Sequence, residues 1–361
     1  MNEDCLKLTT YFGERDRTLD GLVSDELMSI YGGHRVKASV LLRGAEGFGR
    51  LHHLSTDRTL TSSEDLPVVS IAIDERSRIE PMLEIVLEVK RRGLMTLERA
   101  RMLSGELTAS ALPDAFDEDT KLTVYVGRQE RVYRTPAFMA VCELLQRRGI
   151  AGATALLGVD GTLGGRRFRA KFFGRNADVP IMIIASGSGE RVANVLHELG
   201  GLLRNPLITL ERIRVCKREG VTLRAPDELP GTDEHGLALW QKLMIHTTHT
   251  QTGDDGGQPL HLELIRRLQR ETKVAGVTVL RGIWGFNDDR PPHGDKLFQI
   301  RRHVPVCTIV IDTPEAIAEA YPVIDEVTRS HGVITSEMVP AAQAMTESER
   351  HGGLKLARYG F

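Results

Sequence analysis

Apolar runs of strand length alternate along the chain with polar-apolar segments of helical period, and the same succession of patterns comes three times. Residues 38–49, 153–161 and 277–286 each begin as an apolar strand and break into glycines. Upstream of them lie Leu6–Tyr11, Lys121–Tyr125 and Lys242–His246; downstream come Asp65–Asp74, Asp178–Ala185 and His303–Asp312. The order never changes, so one module of roughly 115 residues is written three times.

Within the first copy, Leu6–Phe12 has strand composition. Leu22, Val23, Glu26, Leu27 and Ile30 then predict a helix over Leu19–Gly32. A second strand is predicted over Lys37–Leu42, followed by a glycine-punctuated loop from Gly44 to Glu64 and a third strand over Val68–Ile73. Asp74 leads into a helix whose Ile79, Met82, Leu83, Val86 and Leu87 share one face. Gly93 is placed to cap it, and Leu94–Leu103 supplies a last strand. The second copy predicts helices at 137–148, ended by Gly149, and at 190–203. The third predicts them at 260–271 and 314–330, with Gly332 beyond. The order βαββαβ is that of a ferredoxin-like module in an α+β protein. Its antiparallel sheet keeps one face apolar after the helices cover the other, and that face needs a partner.

The expected organisation is repeat 1 over 1–103, a linker over 104–119, repeat 2 over 120–217, a linker over 218–234, repeat 3 over 235–340 and a tail over 341–361. Both linkers are rich in small, acidic and proline residues. The tail either moves freely or docks on the body.

Composition narrows the function classes. The chain has 361 residues, 41% hydrophobic and 27% charged, as ordinary globular proteins do. A net charge of −2 argues neither for nucleic acid nor for a membrane-surface field. Arginine far outnumbers lysine, which either favours bidentate contacts to carboxylates and phosphates or reflects the base composition of the source genome. No apolar run approaches the ~18 residues of a membrane span, and the start lacks signal-peptide character. Cys5, Cys142, Cys216 and Cys307 lack metal spacing and read as reduced, buried thiols of a cytoplasmic protein.

Several motifs carry a family resemblance. They are Gly13-Glu-x-Asp16, residues 149–155, Arg-Gly-x-x-Gly-Phe at 43–48 and 281–286, Leu66–Val69, and Gly-Leu-x-Thr-Leu-Glu at 93–98. In their repeated order they resemble the domain of unknown function 190 family, which is similar in fold to the PII-like signalling proteins. The resemblance implies three PII-like modules packed as a single-chain pseudo-trimer, the sheets facing a central axis. A loose string of domains or a dimer of chains is the alternative. It also implies clefts between modules that hold a small anionic ligand, with ATP, ADP or AMP as candidates. Loops would then signal to a protein partner connected with ion transport, a transporter or channel.

On this reading the candidate ligand residues are Arg43, Gly44, Gly47, Phe48, Gly49, Arg281, Gly282, Gly285, Phe286, Glu14 and Asp16. Glycines let backbone N–H groups approach a phosphate, and a neighbouring arginine forks onto its oxygens. The structural alternative gives Gly44, Gly47 and Gly49 positive φ in a tight turn and Arg43 an ion pair across an interface. Leu157 replaces the arginine in repeat 2, and Gly187 replaces Asp74 and Asp312, so the three clefts are chemically inequivalent. Asp74 and Asp312 read as carboxylates favouring a helix dipole. Divergent loops hold His52 and His53, Arg166–Arg169 with Lys171, and Asp288–His293; the basic run either grips an acidic partner or is a solvated turn. His246 and His249, three apart on a strand, point to opposite faces and make a poor metal pair. The sequence carries no recognisable catalytic motif; Glu14 with His52 or His53 is the pair an enzyme would need. The second functional reading is a ligand-free adaptor ring.

Overall fold

The computed structural model describes residues 5–49, 53–57, 65–90, 92–105, 119–170, 178–252, 257–287, 292–294, 304–346 and 348–359. Repeat 1 contains β1 (Cys5–Gly13), α1 (Val23–Gly33), β2 (Ala38–Arg43), β3 (Glu46–Phe48), β4 (Ser55–Thr56), β5 (Pro67–Glu75), α2 (Arg76–Val89) and β6 (Gly93–Ser104). Repeat 2 contains β7 (Thr120–Gly127), β8 (Arg131–Val132), β9 (Thr135–Pro136), α3 (Ala137–Arg147), β10 (Gly152–Leu157), β11 (Asp160–Leu163) and β12 (Arg166–Arg169). It continues through β13 (Pro180–Gly187), α4 (Gly189–Leu202), β14 (Leu207–Arg212), β15 (Arg214–Arg218) and β16 (Val221–Thr222). Repeat 3 contains β17 (Trp240–Thr248), α5 (Leu260–Glu271), β18 (Val277–Arg281), β19 (Trp284–Asn287), β20 (His293–Gly294), β21 (Pro305–Asp312), α6 (Pro314–Val327) and β22 (Val333–Val339). After repeat 3 comes the hairpin β23 (Ala341–Met345) and β24 (Arg350–Gly353).

Each repeat orders its four long strands fourth, first, third, second, all antiparallel: β6-β1-β5-β2, β14-β7-β13-β10 and β22-β17-β21-β18. Two further sets of pairings link the repeats in a cycle. The short strand after each second strand crosses to a neighbour: β3 joins β18, β11 joins β2, and β19 joins β10. The fourth strands also share partners end to end. The second half of β6 pairs with β14, β15 pairs with β22, and β23 returns to the first half of β6. Repeat 1 is thus bonded to repeat 2, 2 to 3 and 3 to 1.

The helices cover one sheet face of each repeat. Alternation along β1 sends Leu6 and Leu8 to that side, where they pack with Leu27, Met28, Ile79, Met82 and Val86. Equivalent cores form under α3 and α4 and under α5 and α6. The opposite faces supply one shared core with residues of all three repeats, among them Val40, Ile71, Met182, Ile184, Leu280 and Ile309. The apolar face expected to need a partner finds it in the other repeats.

Some local expectations change. The first helix begins at Val23, because Thr18 closes residues 17–22 into a turn: its N–H donates to Gly21 O at 2.9 Å and its Oγ1 accepts from Asp20 N. Gly93 does not cap α2, which ends at Val89 with Lys90 extended beyond it. It opens β6 at φ +93°, where a Cβ would stand 2.1 Å from Tyr11 O. The loop after β2 holds β3 and β4, and the Arg166–Arg169 run is β12, hydrogen-bonded to β11 rather than a solvated turn. The tail docks: Leu354 and Leu356 lie against the core of repeat 1, and Ala357 N donates to Pro340 O at 2.8 Å. His52, Lys171 and residues 288–291 lie outside the described residues.

Candidate functional site

The Gly-x-x-Gly turns sit where one repeat crosses to the next. In each, the first glycine N–H donates to the carbonyl of a proline opening its own third strand: Gly44 to Pro67 at 2.7 Å, Gly158 to Pro180 at 3.0 Å, Gly282 to Pro305 at 2.8 Å. The next N–H donates to the neighbouring repeat: Ala45 to Val279 O, Val159 to Leu41 O, Ile283 to Ala155 O, all within 2.9 Å. Neither Gly44, Gly47 nor Gly49 has positive φ. The glycines are there for close approach instead. A Cβ on Gly47 would lie 2.6 Å from Val277 O, and one on Gly161 or Gly285 only 2.1 Å from Ser39 O or Ala153 O. The amides suited to a phosphate are therefore used inside the fold; around Gly49 there is open space.

The remaining candidates separate. Phe48 is buried in the core of repeat 3 and Phe286 in that of repeat 2, each an apolar anchor for its crossing strand. Arg43 donates to Glu14 Oε2 at 2.8 Å within its own repeat, both side chains being partly exposed. Arg281 reaches across to Asp57 of repeat 1 at 2.9 Å. Asp16 turns back to accept from Gly13 N; Glu130 does the same with Gly127 N, and Gln251 with Thr248 N. These three are thus one local device, in which Gln251 of repeat 3 takes the place of Asp16 in repeat 1. Burial raises the Asp16 carboxyl, and the Gly13 N–H only partly offsets it. Asp74 and Asp312 stand just before α2 and α6, where one oxygen of each accepts from the N-cap amide, Glu75 N or Thr313 N, at 2.8 Å. They also tie the end of the third strand to the start of the second, accepting from Lys37 N at 2.9 Å and Ala275 N at 2.6 Å. Glu14 is engaged with Arg43, and His53 is exposed.

A set of residues not foreseen as a unit lies at the centre. Lys7, Lys121 and Lys242 occupy one position on the three first strands, and Glu98, Glu211 and Glu337 face them on the fourth strands. All six are buried. Lys7 contacts Glu98 at 3.2 Å and also Glu211; Lys121 contacts Glu211 and, at 2.5 Å, Glu337; Lys242 contacts Glu337 at 2.9 Å and Glu98 at 2.5 Å. The charges alternate around a closed ring in which each lysine bridges its own repeat to another. Burial alone would raise the carboxyls, but Lys242 and Lys7 hold Glu98 well below the usual range, and Lys121 and Lys7 bring Glu211 down to about 2. Burial pulls the Lys7 ammonium down, and Glu211 and Glu98 beside it only partly offset this. Three positive and three negative groups satisfy one another, so the ring is a joint rather than a ligand site. Its sequence signal was the charged position shared by Lys7, Lys121 and Lys242 among apolar neighbours.

His246 is buried in β17, and burial lowers its imidazole to about 4. His249 lies instead against His261, ring centroids 5.1 Å apart and planes tilted by 34°. No group of three or more metal-ligating side chains occurs among the described residues, nor any helix long and apolar enough to cross a membrane. An open cleft of about 850 Å³ lies between repeat 1, which supplies Arg99, and the segments flanking repeat 3, which supply Thr232, Asp233, Glu234, Arg358 and Tyr359. Asp233 is occupied as an acceptor of the His235, Leu237 and Arg358 amides.

Comparison with known proteins agrees with this threefold plan. The domain of unknown function 190 family model, described as "Uncharacterized ACR", matches residues 5–102, 119–215 and 240–341. A "UPF0166 protein" of Aquifex aeolicus (strain VF5) is 34% identical over 98 residues, covering 27% of this chain and 88% of the relative. The chain belongs to the domain of unknown function 190 family, whose module it carries in three tandem copies.

Proposed function

We propose that the protein is a cytoplasmic adaptor ring: a single-chain pseudo-trimer of ferredoxin-like, PII-like modules bounded at 1–103, 120–217 and 235–340, whose divergent loops contact protein partners. The supporting observation is that each Gly-x-x-Gly turn spends its leading backbone donors on the fold, one on its own third strand and one on the next repeat. The pairing of Arg43 with Glu14 and of Arg281 with Asp57 points the same way. Cyclic pairing of the crossing strands and the alternating charge ring support the pseudo-trimer. Thermal shift tests the reading with ATP, ADP, AMP, cyclic nucleotides and simple anions. An adaptor gives no stabilisation at millimolar ligand; a rise abolished by Arg43→Ala or Arg281→Ala overturns it.

The cleft between Arg99 and Arg358 favours a second reading, a PII-like regulator that binds a small anion such as an adenine nucleotide and reports to a transporter or channel. Tyr359 also lines the cleft, in which Arg99 Nη2 donates to Ala357 O at 3.1 Å. In that case the thermal rise disappears in Arg358→Ala and persists in Arg281→Ala.

A further inference from the structure

Residues 354–359 belong to no strand or helix and still return to the body. They lie across the seam between repeats 1 and 3, the pair that no linker joins. Their contacts fall on both sides of it. Leu354 and Leu356 pack against the core of repeat 1, and Arg99 Nη2 of β6 donates to Ala357 O at 3.1 Å. On the other side Ala357 N donates to Pro340 O at 2.8 Å, just past β22. Arg358 N donates to Asp233 Oδ2 at 2.9 Å, in the segment leading into β17. Asp233 is itself well anchored, since its Oδ1 accepts from His235 N and Leu237 N, both at 2.9 Å.

Little of the segment is buried. Ala357 is the one wholly buried residue in it; both leucines are partly buried, and Lys355, Arg358 and Tyr359 are exposed. So small a buried contact, outside any sheet ladder, opens at a fraction of the free energy that unfolds the body. A hinge precedes it. Gly352, at φ +78°, has its Cβ position 2.1 Å from Ala342 O and stays within the β23–β24 hairpin, whereas a Cβ on Gly353 would meet nothing within 4 Å. The backbone is therefore free to swing from Gly353 onward. The seam of repeats 2 and 3 lacks this contact. Leu223 follows β16 as Leu354 follows β24, yet it is 55% exposed, and there the chain itself runs on into repeat 3.

The cleft described above depends on the same segment. Arg99 and residues of 230–234 supply its walls on the body, and Arg358 and Tyr359 supply the rest. We infer that residues 354–359 are a reversible clasp across the seam of repeats 1 and 3. Docked, the clasp completes the cleft; released, it takes the cleft apart and uncovers the apolar seat of Leu354 and Leu356 on repeat 1. The inference is independent of both functional readings, because it concerns the docking equilibrium of the segment itself.

Hydrogen exchange of the full chain, read residue by residue, tests it. We expect the Ala357 and Arg358 amides to exchange more slowly than in an unstructured peptide, yet at least about tenfold faster than the amides bonded between β17 and β21. Leu356→Ala should speed the Ala357 and Arg358 amides about tenfold and leave the β17 and β21 amides unchanged. Exchange of the segment at the rate of the β17 and β21 amides overturns the inference, because the segment then opens only with the whole fold. Exchange at the peptide rate, or no response to Leu356→Ala, also overturns it, because the segment is then not held by the seat described.

Discussion

Lys242 of the third repeat and Glu98 of the first are far apart in sequence, yet the lysine Nζ lies 2.5 Å from the glutamate Oε2 in a buried site. That contact closes the charge ring between the two ends of the chain. Removing one partner of a buried pair strands the other charge, a loss of about 3–5 kcal/mol. We expect Lys242→Met to lower the urea midpoint accordingly, and Lys242→Met/Glu98→Leu to recover a substantial part. Additive losses in the double variant would show that the two residues do not act together.

His246 gives stability a pH dependence. Its ordinary value is 6.5 and burial lowers it to about 4. Between these values the unfolded chain binds a proton that the native chain refuses. Stability is therefore full above about pH 6.5 and falls as the pH drops to about 4, by about 3 kcal/mol. Tyr11 and Tyr125 hold the matching register on the other first strands, so His246→Tyr should flatten this window in denaturation curves. Glu211 acts in a lower window. Its folded value is depressed from 4.5 to about 2, so its contribution is present above about pH 4.5 and lost as pH falls towards 2, in both proteins.

Close approach at the crossings predicts which glycines resist change. A methyl on Gly161 would meet Ser39 O at 2.1 Å, whereas one on Gly49 meets nothing within 4 Å. We expect Gly161→Ala to cost about 2–4 kcal/mol and Gly49→Ala less than about 0.5 kcal/mol, read by thermal unfolding. Equal costs would mean that the turns are not packed as described.

Tyr133 should be a site of easy stabilisation. Its φ of +55° strains any L side chain, and the exposed ring contributes no packing to the fold. Tyr133→Gly should raise stability by a few tenths to about 1 kcal/mol. A fall in melting temperature would show that the ring has an intramolecular role.

Much of the local structure was legible. Period-3.6 runs located α2 through Ile79, Met82 and Val86, and the apolar runs located β1, β2, β5 and β6. Thr18 misled the start of α1, since its hydroxyl closes a turn that the apolar pattern around Leu19 does not announce. The Gly-x-x-Gly turns were visible as motifs, but whether their amides face a ligand or a carbonyl depends on which strand lies opposite, and that strand belongs to another repeat.

Strand and helix periodicity, glycine placement and threefold repetition are properties of neighbouring residues, and the sequence by itself determined them. It also determined that each sheet would keep an apolar face in need of cover. The tertiary structure alone decided what Lys7, Lys121 and Lys242 do. On one strand a lysine alternating with Leu6 and Leu8 reads as a solvent-facing charge, because period two sends it away from the helices. That outer face becomes an interior when three repeats close on one another, and each lysine then meets glutamates from two different repeats. Burial and ion pairing depend on every module at once, so no window of sequence contains them.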